Sequence, residues 1–276
     1  MLKLMYITND PSVAKIAEKA GVDRIFIDME YIGKDLRQGG MDTVKCRHTP
    51  SDVKVIKEAT SSCEIMVRVN PIHDKTDAYN STEDEINEVV QAGADVIMLP
   101  YFKTPLEVER FVKAVNGRAK VFPLVETPEA VDCLDEVLKI EGVDEIYVGL
   151  NDLSIGYGKK FMFELLTDGT LERLAEKFRE KRIPFGFGGI ASLGKGMLPA
   201  ERVIPEHYRL GSTIAILSRS FCNCQKLNLN EIENAFGVGI KELRDFELKC
   251  QSGGIDLIEN RKKVETIIKQ IVENIG

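Results

Sequence analysis

The sequence predicts a (β/α)8 TIM barrel extended by C-terminal helices, and three observations predict it. Short apolar runs alternate with amphipathic stretches at helical spacing along nearly all of the 276 residues, about eight times, which favours a closed barrel over an open sheet. No tight hairpin signal joins successive runs, so neighbouring strands must be parallel. No Gly-rich dinucleotide fingerprint follows the first run, which counts against an open doubly wound sheet.

The elements follow in order. Residues 3–7 read as a strand and 11–20 as a helix capped by Asn9 or Asp10. Residues 24–29 form the second strand, and Thr-Pro-Ser-Asp at 49–52 starts the next helix. Strands at 65–69, 96–99 and 121–125 alternate with helices at 82–92 and 105–115. Val131, Leu134, Val137 and Leu138 form a helical stripe before a strand at 145–150. A helix at 171–181 and strands at 184–187 and 214–217 complete the set. Two helical stretches follow, 229–248 and 255–275, separated by Gln251, Ser252, Gly253 and Gly254. Residues 1–250 are thus read as the barrel, and 251–276 as a C-terminal helix packed on the barrel or on a neighbouring subunit. Its stripe of Val264, Ile267, Ile268 and Ile271 needs cover, which a subunit interface would supply.

Composition narrows the function. A 43% hydrophobic content without low-complexity stretches supports one large core. The formal net charge of -7 and a pI near 5.3 argue against a nucleic-acid or membrane-surface partner. No apolar run is long enough to span a bilayer, and the opening MLKLMYITNDPS lacks a charged leader with a long apolar region, so a cytoplasmic enzyme is expected. Cys46, Cys63, Cys133, Cys222, Cys224 and Cys250 form no CxxC pair and have no histidine at zinc spacing, which favours free thiols. Cys222 and Cys224 are the only close pair.

The chemistry concentrates at strand ends. The fifth strand stops at Glu126 and the sixth at Asn151 and Asp152, so one βαβ unit carries a carboxylate at the same end of both strands. Parallel neighbours lie about 4.8 Å apart, so both carboxylates can reach one cation in the crevice beyond the strand ends. A hard divalent ion, Mg²⁺ or Mn²⁺, suits such oxygen ligands. Helix capping is the alternative use of either residue. The second strand ends in Asp28, Glu30 and Tyr31, and the third carries Arg68 in an apolar run. A buried guanidinium needs an anion, either a substrate oxygen or an ion pair with Asp28 or Glu30. Asn70 belongs to the same rim.

The long segment 32–50 holds Lys34, Arg37 and His48. It is either a solvated loop or a lid whose cations hold an anionic substrate. His48, titrating near neutrality, is the candidate base, with His73 as rival and His207 the only other histidine. Gly188, Gly189 and Ser192 form either an anion-binding nest or a close strand–helix packing. Arg219, after the eighth strand, is a second anion contact or an ion-pair partner.

The wording VETPEA followed by GVDEIYVGLNDLS resembles the HpcH/HpaI aldolase and citrate lyase family, and the resemblance spans most of residues 2–223. It implies a Mg²⁺- or Mn²⁺-dependent barrel that makes or breaks carbon–carbon bonds through an enolate, often of pyruvate. Carried over by motif, Glu126 and Asp152 are the metal ligands, and Arg68 contacts the substrate's carboxylate or carbonyl oxygen. The tip with Asp28 and Glu30 is catalytic, with Asn151, Lys34, Arg37 and Arg219 around the substrate. Tyr31 stands where the family commonly has a histidine, and Leu124 where several pyruvate aldolases have glutamine. The expected enzyme is therefore a lyase of an α-keto acid, the alternatives being an acyl-CoA lyase of the citrate or citramalyl type, or a barrel without chemistry serving as an assembly subunit. The resemblance also implies a homo-oligomer, trimer or hexamer.

Overall fold

The computed structural model describes residues 1–33 and 48–275. Among them, β1 (Lys3–Ile7), β2 (Arg24–Asp28), β3 (Glu64–Arg68), β4 (Val96–Leu99), β5 (Lys120–Val125), β6 (Ile146–Val148), β7 (Phe185–Ile190) and β8 (Ile214–Leu217) pair in chain order into a closed barrel. All pairings are parallel, and β8 returns to β1. The expected fold is the observed one.

Helix starts are written in the local sequence. Asp10 accepts from the Ser12 and Val13 amides ahead of Pro11–Ala20. Thr49 with Asp52 and Thr104 with Glu107 form reciprocal capping boxes at Pro50–Ala59 and Pro105–Val115, each with proline in the first turn.

The period of two along each strand then sorts side chains. On β2, Arg24, Phe26 and Asp28 point into the barrel, while Ile25 and Ile27 lie under the helices. The register pairs Arg24 with Glu64, Phe26 with Met66 and Asp28 with Arg68. The interior is therefore layered, with charge at both ends and an apolar middle of Met5, Phe26, Met66, Met98, Phe122 and Tyr147.

The N-terminal mouth is closed by a compact ion network. Arg24, 0% exposed, donates from Nε to Glu64 at 2.7 Å and from Nη2 to Glu145 at 2.8 Å. Lys3 and Lys120 join the same carboxylates. Burial alone would raise the Glu64 carboxyl, but Lys120, Arg24 and Lys3 pull it down to about 2.

Several boundaries differ from the sequence reading. Strand β7 runs to Ile190, so Gly188 and Gly189 lie inside the strand rather than in a loop beyond it. A Cβ at Gly186 would fall 2.4 Å from both the Ile214 carbonyl oxygen and the Tyr147 ring, so the glycine run permits close packing. Strand β6 stops at Val148, and Asn151 and Asp152 sit in the first turn of a short helix, Leu150–Gly156. The stripe after β5 is divided at Cys133 into Pro128–Asp132 and Leu134–Val137.

Helix Leu229–Gln251 packs on Pro11–Ala20, and helix Leu257–Ile275 packs on Ala200–Leu210. The second docks through Asn260, whose Nδ2 donates to Glu206 at 3.0 Å and to the Arg202 carbonyl at 3.1 Å. Val264 and Ile268 are thereby buried within the chain, and Ile267 and Ile271 of the same stripe are partly buried. Among the described residues no helix is long and apolar enough to cross a membrane.

Candidate active site at the C-terminal mouth

Arg68 ends β3 and Asp28 ends β2, and their register sets them side by side at the C-terminal mouth. The guanidinium is held by a two-point contact, Nε to Asp28 Oδ1 and Nη2 to Oδ2, each 2.8 Å. The Glu30 carboxylate lies 3.4 Å from Nε. Burial would lower the Arg68 pKa, yet the fields of Asp28, Glu30 and Glu126 raise it well above the ordinary value. Its side chain keeps 16% of its exposure and lines the cavity at the mouth. The two readings of Arg68 are thus not exclusive: the ion pair is present, and the paired guanidinium still fronts the cavity.

Glu126 follows β5 and is 4% exposed. Its Oε1 accepts from the Tyr101 amide at 2.9 Å. Tyr101 sits at φ 50, a left-handed conformation that a bulky residue adopts at a cost. Gly149 makes room on the other side, because a Cβ there would lie 2.8 Å from Glu126 Cβ and 3.0 Å from Oε2. That bare backbone lets the turn carrying Asn151 and Asp152 approach Glu126. Asn151 donates from Nδ2 to Asp152 Oδ1 at 2.9 Å.

Arg68, Glu126, Asn151, Asp152 and Ser218 line one cavity of about 240 Å³. Its apolar wall includes Phe26, Met98, Leu124 and Tyr147. The Tyr147 hydroxyl donates to the Gly188 carbonyl and accepts from the Ile216 amide, and burial pushes its pKa up. It serves as floor rather than as acid. A second hollow, about 340 Å³, opens beside Tyr101 and Lys103 and shares Glu126 and Asp152 with the first, so the two carboxylates stand at the partition.

Other expected residues lie elsewhere. The Asp28 amide donates to His48 Nδ1 at 3.0 Å. That contact makes Nδ1 an acceptor and ties the ring to the β2 tip as an anchor. His48 lines a different cavity, about 620 Å³, with Tyr31, Asn70, His73 and Glu85. Asn70 is likewise not at the barrel mouth. Its Oδ1 accepts from the Tyr31 and Ile32 amides, both at 2.9 Å, and its Nδ2 donates to Glu85 at 2.8 Å, fixing the chain as it leaves Glu30. Tyr31 is 52% exposed beside Tyr79. His207 is buried against Phe187. Among the described residues, no imidazole lines the mouth cavity. Arg219 is exposed just past β8. Ser192 donates to the Phe221 carbonyl at 2.9 Å, tying two loops together. Lys34, Arg37 and Cys46, with most of the expected lid, lie outside the described residues.

Tyr101 and Gly149 escaped the sequence reading. Their one sequence signal is position, each falling just past a strand end.

The family model for HpcH/HpaI aldolase/citrate lyase matches residues 3–164. The chain belongs to this family. A hydroxypyruvate/pyruvate aldolase of Roseovarius nubinhibens is 22% identical over 161 residues, which cover 54% of this chain and 62% of the relative. A 2-keto-3-deoxy-L-rhamnonate aldolase of Escherichia coli is 26% identical over 159 residues, 53% of this chain and 58% of the relative. The chain thus spans about three fifths of the length of these curated relatives. Among solved structures, an HpcH/HpaI aldolase from Desulfitobacterium hafniense superposes with a TM-score of 0.59 at 14% identity, covering 88% of this chain and 93% of that one. That likeness concerns the fold. Arg68, Glu126 and Asp152 fall inside the matched segment, whereas Gly188, Gly189, Ile216 and Ser218 of the same cavity lie beyond it.

Proposed function

We propose that this member of the family is a divalent-cation-dependent carbon–carbon lyase that forms or cleaves an aldol bond next to an α-keto acid, through an enolate. The observation that carries the reading is a small cavity lined by two strand-tip carboxylates, Glu126 and Asp152, and by the Arg68 guanidinium. Two relatives bearing aldolase names point the same way.

The donor chemistry fits a Mg²⁺ or Mn²⁺ ion. Among the described residues no three His, Cys, Asp or Glu side chains form a complete cage. Two carboxylates with remaining positions left to water and substrate is how Mg²⁺ is commonly held. Such an ion, when bound, polarises the keto-acid oxygens and makes a water acidic enough to serve as a base near neutral pH.

The chain's own residues do the rest. Asp28 and Glu30 fix the orientation of Arg68 through contacts to Nε and Nη2. A guanidinium has five N–H donors, so others remain for a substrate carboxylate or for the oxygen on which enolate charge grows. Asn151 flanks the same space, and Leu124 and Met98 give the keto acid's carbon chain an apolar wall that excludes water. Gly149 keeps the pocket small enough to hold the substrate against the carboxylates.

Exchange of pyruvate methyl protons with D₂O, followed by proton NMR, tests this. Exchange that requires Mg²⁺ or Mn²⁺ and is lost in Glu126→Gln supports the lyase. No exchange with either ion, together with tight binding of coenzyme A thioesters, would move the assignment to an acyl-CoA lyase.

A further inference from the structure

Beyond β8 the chain carries Cys222 and Cys224, and neither has a part in the chemistry proposed above. Their sulfurs are 3.7 Å apart. Cys222 is buried and Cys224 half-buried. Tyr6, on β1, pins the pair: its hydroxyl donates to the Cys222 carbonyl at 3.0 Å and lies 2.8 Å from Cys224 Sγ.

The surroundings are built rather than loose. Tyr6 meets Phe236 edge to face at 4.9 Å, and Phe221 meets the same ring at 5.5 Å. Phe221 passes so close to helix Leu229–Gln251 that a Cβ on Gly239 would lie 3.0 Å from its ring. The residue before the pair is thus locked by aromatic packing, and its carbonyl is held by Ser192. The two sulfurs are held near contact by their neighbours and not merely by adjacency in sequence.

We propose that Cys222 and Cys224 form a reversible dithiol–disulfide pair that exchanges with disulfides of small thiols. In the first step the Cys224 thiolate attacks one sulfur of R–S–S–R. That bond breaks, one thiolate RS⁻ leaves and takes up a proton, and Cys224 carries a mixed disulfide. Cys222 then gives up its proton and attacks Cys224 Sγ, the second RS⁻ leaves, and the Cys222–Cys224 bond closes. The protein dithiol is oxidised by two electrons and the external disulfide is reduced to two thiols. A disulfide needs sulfurs about 2.05 Å apart, so closing the gap takes side-chain rotation over less than two ångströms.

The division of roles follows from the microenvironments. The hydrogen bond from Cys222 lowers the Cys224 thiol to about 7, against the opposing effect of burial, and Tyr6 adds to the lowering. The hydrogen bond it gives and its burial raise Cys222. The more exposed, more acidic thiol is the attacking one, and the buried thiol resolves. Cys250, pushed by burial to about 11, is a built-in unreactive reference.

The test is equilibration of the full chain in glutathione buffers of graded redox poise, followed by alkylation and peptide mass analysis. The expected result is a peptide joining Cys222 to Cys224 that has lost two hydrogens and regains them with dithiothreitol. Cys222→Ser should instead leave glutathione on Cys224, and Cys224→Ser should slow glutathione capture at Cys222 by about tenfold or more. Alkylation of Cys224 at neutral pH should outpace that of Cys250 by a similar factor. The proposal is overturned if both thiols stay reduced at a poise that oxidises an exposed control dithiol. Bonding of either thiol preferentially to a third cysteine also overturns it, as does a soft metal ion bound to the pair in the purified protein, which would make it a metal site.

Discussion

The two ends of the barrel use the same strands and the same inward register, yet they put charge to different uses, one in a closed ion network and the other around a cavity. At the N-terminal mouth three cations, Lys3, Arg24 and Lys120, meet two carboxylates, Glu64 and Glu145, in contacts that close the barrel. At the C-terminal mouth, among the described residues, the Arg68 guanidinium stands among Asp28, Glu30, Glu126 and Asp152. The first set is complete within the protein. Among the described residues, the second places carboxylates and a guanidinium around a cavity, where a divalent cation would find oxygen ligands. Nearly buried arginines sit at both ends, so burial of charge alone does not mark a site. What marks the candidate site is the cavity that Glu126, Asp152 and Arg68 line together.

Changes at the two ends should therefore separate stability from chemistry. The largest stability loss is expected from Arg24→Met, which strands Glu145 away from water. Removing one partner of a buried pair costs about 3–5 kcal/mol, and the low end applies because Lys3 also reaches Glu145. Urea denaturation checks this, and the folded fraction should keep its cation affinity. Arg68→Lys keeps a positive charge but loses the planar fork on Asp28. It should lower the proton-exchange rate by about 100-fold while shifting the urea midpoint little. An unchanged rate with a large midpoint shift would make Arg68 a structural residue only.

His207 offers a pH readout that belongs to neither mouth. Its Nδ1 is 2.8 Å from Ser212 Oγ, its Nε2 has no partner among the described residues, and burial lowers its pKa from 6.5 to about 3. The folded state then binds this proton more weakly than the unfolded one. Its stability contribution is present above pH 6.5 and is lost at about 1.4 kcal/mol per pH unit as the pH falls from 6.5 toward 3. His207→Phe should flatten the pH dependence of the unfolding free energy over that window by one proton. An unchanged slope would mean that the ring protonates in place. The smallest effect is expected at His48. If it anchors the Asp28 amide, His48→Ala lowers the exchange rate by less than about tenfold and leaves the shape of the pH profile intact. Loss of a limb near neutrality would restore it as the proton carrier.

Strand positions were legible because seven of the strands carry apolar residues dense enough to read as runs, and the tip residues follow from where those runs stop. The seventh strand was the least legible: in FGFGGI, glycines replace the apolar pattern because Tyr147 and the β8 backbone fill the space side chains would occupy. Arg68 was legible as a charge needing a partner, since burial demands one whatever the fold. The anchoring of His48 on Asp28 and the turning of Asn70 toward Glu85 were not, being long-range contacts set by packing. For the same reason the sequence left open whether Leu257–Ile275 packs on the barrel or on a neighbouring subunit, since its docking rests on Asn260 meeting Glu206 across the chain.

Binding of Mn²⁺, followed by the loss of its free-ion paramagnetic resonance signal, tests the contrast between the two mouths most directly. The account predicts one ion bound by the native chain, binding weakened by at least about tenfold in Glu126→Gln and in Asp152→Asn with the fold intact, and no weakening in Glu64→Gln at the opposite mouth. Undiminished binding in both C-terminal variants would contradict it and return Glu126 and Asp152 to a purely structural part in the barrel.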